Sequence, residues 1–229
     1  MKIGPKAVLV VCVVALVAVG AWARAAYVQP WIQDRSAVRI ADKLERDSLL
    51  REGDILFQTS RSRQSRAVQD ATRSEWSHCG IVVRRDGEWM VYEAVQPVKT
   101  TPLAEWLARG KENRFALKRI KESVRKLSPE DLARMESEGK RFAGKPYDTL
   151  FGWGDDRIYC SELIWKIYHR ALGVEVGAVQ KLAQFDLDAP SVKALMAKRY
   201  GKNVPLEDSV VSPVSIYRSP NLETVVESP

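Results

Sequence analysis

The chain carries two histidines and three cysteines, and few of them stand where imidazole or thiol chemistry is feasible. Cys160 opens the run Cys160-Ser161-Glu162-Leu163-Ile164-Trp165-Lys166-Ile167-Tyr168, whose apolar spacing is helical. Leu163, Ile164, Ile167 and Ala171 form one stripe that Cys160 extends by a turn, and Gly173 is the expected stop. Unpaired amides and the dipole at a helix start favour a thiolate, so this position suits a nucleophile. An imidazole would draw the thiol proton, and a carboxylate on its other nitrogen would fix the tautomer. His78 and Glu93 are the candidates, with Cys160 as nucleophile, His78 as base and Glu93 as orienting residue. Free amides at the helix start, that of Cys160 included, would face a developing oxyanion. Tyr159 is read as a substrate-side residue shaping that site. Taken singly, each of these residues is more often a packing or surface residue. Their coincidence carries the argument, because a buried hairpin rarely holds two ionisable groups on one face unless they pair. His169 would lie toward the far end of the helix and is set aside. Adjacent His78 and Cys79 point to opposite faces and no paired-ligand spacing accompanies them, so neither a metal nor another cofactor is expected.

The elements that must position these groups follow from local signals. Trp76 to Val83 and Glu88 to Val95 are β-rich runs separated by Arg84-Arg85-Asp86-Gly87, which predicts a hairpin. With Asp86-Gly87 as the two-residue turn, Arg85 faces Glu88, Gly80 faces Glu93 and His78 faces Val95. His78 and Glu93 then become diagonal neighbours on one face. Cys79 turns to the other face, which predicts that Cys79→Ala spares activity. Ile55 to Phe57 and Phe115 to Ile120 read as further strands, and Thr59 to Glu75 as a polar loop or helix. Pro97 and Pro102 mark a loop. Ser128-Pro129-Glu130-Asp131 starts a helix that runs to about Phe142. Val210 to Tyr217, interrupted by Pro213, is expected to supply a last edge strand.

Hydrophobic residues at 45% and charged residues at 28% suit one soluble globular domain. Lys2 and Lys6 precede an apolar run from Ala7 to Ala23, followed by Ala25 and Ala26. This is the layout of a secretory signal at residues 1–26, or of an uncleaved N-terminal membrane anchor. Export to the periplasm or cell envelope is the expectation. Cys12 belongs to the apolar run, leaving Cys79 and Cys160 in the mature domain, where a disulfide would be allowed. The net charge of +7 does not point to nucleic acid, because the arginines between Arg61 and Arg85 are scattered without a recognition motif. A solvated basic face is the simpler reading, and an anionic cell-wall or membrane surface is the partner it would otherwise suit.

Ordered motifs add a resemblance. Gly53-Asp54-Ile55-Leu56-Phe57, Ser77-His78-Cys79-Gly80-Ile81-Val82, Tyr92-Glu93-Ala94, Gly144-Lys145-Pro146-Tyr147-Asp148 and Tyr159-Cys160-Ser161-Glu162-Leu163-Ile164-Trp165 resemble those of the YaeF/YiiX permuted papain-like family. That family belongs to the wider group of NlpC-type peptidases and lecithin:retinol acyltransferases. The resemblance covers roughly Glu52 to Gly173, with the histidine strand before the cysteine helix as in the permuted order. It implies an α+β fold with a central antiparallel sheet and the nucleophile at the start of a packed helix. It also implies the same roles for Cys160, His78 and Glu93, and an acyl-enzyme released to water or another acceptor. The expected organisation is a helical lead-in at 27–51, a catalytic domain at 52–220 and a tail at 221–229. An amidase or endopeptidase acting on cell-wall peptide is the favoured function. A lipid acyl hydrolase or acyltransferase is the rival, with Phe151, Trp153 and Ile158 lining an apolar groove, and a catalytically silent binding module is the third reading. The partner is a peptide or lipid-like acyl substrate; the oligomeric state is not legible.

Overall fold

The hairpin is the organising element. In the protein's structure, a computed structural model that describes residues 35–228, Asp86 and Gly87 have φ of 51° and 84°. Both left-handed, they suit a two-residue turn whose twist matches the strands it joins. The turn pairs β2 (His78–Arg85) with β3 (Glu88–Glu93) in the register Arg85 to Glu88 through Ile81 to Tyr92, as the sequence predicts. Gly80 is required there, since a Cβ would stand 2.4 Å from Val91 Cγ1.

Around it, β1 (Ile55–Ser60), β4 (Lys99–Pro102), β5 (Gly110–Ile120) and β8 (Leu222–Glu227) complete a six-stranded antiparallel sheet in the order β4-β3-β2-β1-β5-β8. A second pair, β6 (Gln180–Lys181) with β7 (Ser209–Val210), stands apart. Seven helices occur among the described residues: α1 (Arg35–Arg46), α2 (Arg63–Thr72), α3 (Leu103–Ala108), α4 (Pro129–Lys140), α5 (Cys160–Leu172), α6 (Pro190–Tyr200) and α7 (Pro213–Tyr217).

Strand alternation divides the core. Ile55, Phe57, Cys79 and Ile81 face the layer built on Leu163, Ile164, Ile167 and Tyr168 of α5. On the reverse face α3 packs against β3, β4 and β5, burying Trp106 and Leu107. The apolar stripe read in α5 is thus the surface that meets the sheet. Gly173 ends that helix with φ of 69° and its amide on the His169 carbonyl. Ser128 caps α4 reciprocally with Asp131, and Pro129 occupies the first turn.

Four expectations change. The predicted Val210 to Tyr217 edge strand is only β7, after which Ser212 caps α7 through its Oγ and Pro213 starts it. A capping serine followed by proline is a helix-start signal, and proline has no amide for a ladder. The edge strand is β8, so residues 222–227 of the expected tail belong to the sheet. The stretch beginning at Pro102, expected to continue a loop, enters α3, and α6 lies in a region where no element was expected. The signal or anchor reading of residues 1–26 lies outside the described residues, as does the lead-in before Arg35. Among the described residues no helix is long and apolar enough to cross a membrane.

Candidate active site

Three elements converge at Cys160. The thiol sits in the first turn of α5, directly after an extended Tyr159, and Cys160 is 4% exposed. His78 opens β2 and Glu93 closes β3, so the hairpin register brings them together on one face. His78 Nε2 and Glu93 Oε2 are 2.6 Å apart, both side chains buried. With Nε2 engaged, Nδ1 is the ring nitrogen left for the thiol. The ring also stacks on Trp106, with centroids 6.0 Å apart.

Glu93 is anchored from beyond the hairpin. Thr101 Oγ1 donates to Glu93 Oε1 at 2.6 Å, and the Arg109 guanidinium donates to the same oxygen. Burial alone would raise this carboxyl. The hydrogen bond and charge of His78, with Arg109 and Thr101, outweigh it and hold the group down at about 2. Burial likewise pushes the His78 imidazole down, but hydrogen bonds and charge from Cys160 and Glu93 lift it to about 9. Opposite shifts of this kind favour a carboxylate and an imidazolium side by side.

Cys79 lies on the face the sequence predicts, with a neighbour strand alternation does not reveal. It does face away from His78, but α5 packs on that face, so alternation brings Cys79 against Cys160 and not away from it. Hydrogen bonding from the Cys79 side chain is the largest influence holding the Cys160 thiol well below its usual range. Burial opposes it, and His78 and the Cys79 amide add to it. Burial and the neighbouring Cys160 keep the Cys79 thiol protonated. Both cysteines are free thiols.

Tyr159 takes a position in the wall. Its ring packs edge-on to Phe151 at 5.2 Å and its hydroxyl accepts from the Val211 amide at 3.1 Å. The hydroxyl is therefore spent on the main chain, and Tyr159 is 2% exposed. His169, near the other end of α5, stacks on Trp165.

Sequence reading missed Gln64, Tyr147 and Arg199 as a group. Gln64 Nε2 donates to Tyr147 Oη at 2.9 Å and Arg199 Nη2 donates to Gln64 Oε1 at 2.5 Å. Tyr147 was visible only as part of the Gly-Lys-Pro-Tyr-Asp motif. That motif's local task is legible in retrospect: Asp148 accepts the amides of Leu150 and Gly152 at 2.8 and 2.7 Å, and its own amide bonds the Ile158 carbonyl. The loop is thereby tied to the residue before Tyr159. Thr101 and Arg109 were missed because they reach Glu93 through the β3–β4 pairing and the end of α3.

Beside Cys160 lies a narrow pocket of about 60 Å³, enclosed by α2, the 182–196 segment and residues 210–213. Its walls are almost wholly apolar, with Ala67, Ala71, Phe185, Leu187, Leu195 and Met196 among them. Of the three expected linings of an apolar groove, Phe151 contributes, while Ile158 is buried core and Trp153 packs on Trp165. Among the described residues no group of three or more His, Cys, Asp or Glu side chains is arranged to hold a metal ion.

Comparison with known proteins accords with this architecture. The family model for the permuted papain-like amidase enzymes, the YaeF/YiiX or C92 family, matches residues 49–226. The uncharacterized protein YiiX of Escherichia coli strain K12 is 49% identical over 175 residues, which span 76% of this chain and 85% of that protein. A crystal structure described as that of the metalloprotein yiiX from Escherichia coli O157:H7 superposes with a TM-score of 0.74 at 48% identity, covering 78% of this chain and 97% of that one. With the fold, the order of its motifs and most of its length matched, the chain belongs to the YaeF/YiiX family of permuted papain-like amidase enzymes.

Proposed function

We propose that this enzyme is a thiol-dependent amide hydrolase in which Cys160 is the nucleophile, His78 the acid and base, and Glu93 the residue that orients His78. The observation that carries the reading is the buried line Glu93–His78–Cys160, which ends at the first turn of α5 and beside a pocket. In this mechanism the Cys160 thiolate attacks the substrate carbonyl and the developing oxyanion meets amides free at the helix start. The His78 imidazolium gives its proton to the leaving amine as the C–N bond breaks. A thioester remains on Cys160. Neutral His78 then takes a proton from water as that water attacks, and Cys160 leaves as thiolate. Glu93 stays ionised throughout and keeps Nδ1 toward the reacting atoms.

Two acyl sources fit the scheme. Cell-wall peptide is favoured by the export signal read in the sequence, and the proposal extends to action in the periplasm or cell envelope, on or near an anionic surface. A lipid-like or other apolar acyl group is favoured by the pocket walls. The E. coli O157:H7 relative is described as a metalloprotein; here, among the described residues, no group of three or more His, Cys, Asp or Glu side chains is arranged to hold a metal ion. The residues do not fit a metal, and no step is routed through one. The test is a panel of peptide amides and acyl esters followed by intact mass. A thioester on Cys160 is expected, its formation slowed about 10²–10⁴-fold by His78→Ala. Turnover that survives Cys160→Ala would refute the proposal.

A further inference from the structure

The pocket beside Cys160 is built from three segments far apart in sequence: α2, residues 182–196 and residues 210–213. Apolar side chains that stop short of one another forgo dispersion contacts, so an apolar void lowers stability unless something fills it. Its floor is the nucleophile, and no charged side chain faces into it. A polar or carboxylate-bearing substituent would lose its water there without gaining a partner.

Building on the proposed thiol chemistry, we infer that this pocket holds the acyl side of the substrate, and that the group transferred to Cys160 is a short unbranched apolar chain. Room of about 60 Å³ accommodates about two waters, and hence about two methylene-sized groups. Atoms beyond that length meet the wall formed by α6. The carbonyl sits at Sγ, the chain runs between α2 and α6, and the leaving group departs on the His78 side.

The experiment uses the purified full chain and p-nitrophenyl esters of acids from acetyl to dodecanoyl. The ester C–O bond breaks, the thioester forms on Cys160 Sγ and p-nitrophenolate leaves, so release and intact mass report the same step without need of turnover. Relative to N-acetylcysteine in solution, the acylation rate constant is expected to rise about fourfold per methylene. The rise reaches about 16-fold by butanoyl and stops by about hexanoyl. In Leu195→Trp and, independently, Val68→Phe, which both narrow the pocket, the butanoyl-to-acetyl ratio falls toward one. A Cys160-dependent rate that ignores chain length, or still climbs at dodecanoyl, overturns the acyl-pocket assignment alone. Equal nitrophenolate release from Cys160→Ala protein overturns the thiol reading on which it rests, and the assignment with it.

Discussion

Protonation of His78 and Cys160 sets the pH range over which the proposed chemistry runs. The imidazole is held up at about 9 and Glu93 down at about 2, so the His78 side chain stays cationic well past neutrality while its partner stays anionic. The His78 contribution to stability is full below its unfolded value, near 6.5, and fades as pH rises through about 9. That of Glu93 is full above 4.5 and fades as pH falls through about 2. Amide turnover should therefore decline above about pH 9, as the proton for the leaving amine is lost. Glu93→Gln removes the charge that holds His78 up, and should move this alkaline limb to lower pH; a pH–rate profile of the two proteins measures it. Cys79 offers a second check. Cys79 lies against Cys160 and is the largest influence lowering its thiol, so Cys79→Ala should move the acid limb of Cys160 alkylation upward, while Cys79→Ser keeps a donor and moves it less. Identical acid limbs in all three proteins would return Cys79 to plain packing.

The helix that carries the thiol is fixed by charges buried along its own length. Glu162 and Lys166, one turn apart on α5, form an ion pair at 2.7 Å, with both side chains almost fully buried. Lys166 Nζ also bonds the Gly154 carbonyl at 2.7 Å and Asp155 Oδ1 at 2.8 Å. It thereby ties α5 to the loop leading into Tyr159. Burial pushes the Glu162 carboxyl up to about 8 in spite of the lysine. Lys166→Ala strips the carboxyl of its cation and frees the loop. Above about pH 8, where Glu162 is ionised, the expected loss is about 3–5 kcal/mol in denaturant unfolding, with Cys160 alkylated more slowly in the fraction still folded. A loss below about 1 kcal/mol would mean that Glu162 simply takes a proton and the loop is held by other contacts.

Over the whole molecule, what the sequence revealed was what is decided locally. Asp86-Gly87 dictates its own turn and hence the hairpin register, which alone brings His78 beside Glu93. Ser128-Pro129 and Gly173 likewise mark helix ends by backbone chemistry within a few residues. Arg109, Thr101, Gln64 and Arg199 escaped notice because each arrives through packing between distant segments. The face of Cys79 is legible from alternation, but its proximity to Cys160 is not, since alternation says nothing about which face a helix will cover. The Val210 to Tyr217 misreading has a local cause: an apolar run outweighed the Ser212-Pro213 cap. The proposed chemistry rests on one activated thiol. Its most direct test is iodoacetamide labelling over a pH series, with mass spectrometry locating the modified cysteine. Cys160 should react well below the ordinary thiol pKa of about 8.5, and His78→Ala should abolish that low-pH reactivity. An unreactive Cys160 in folded protein, or one indifferent to His78, would contradict the mechanism.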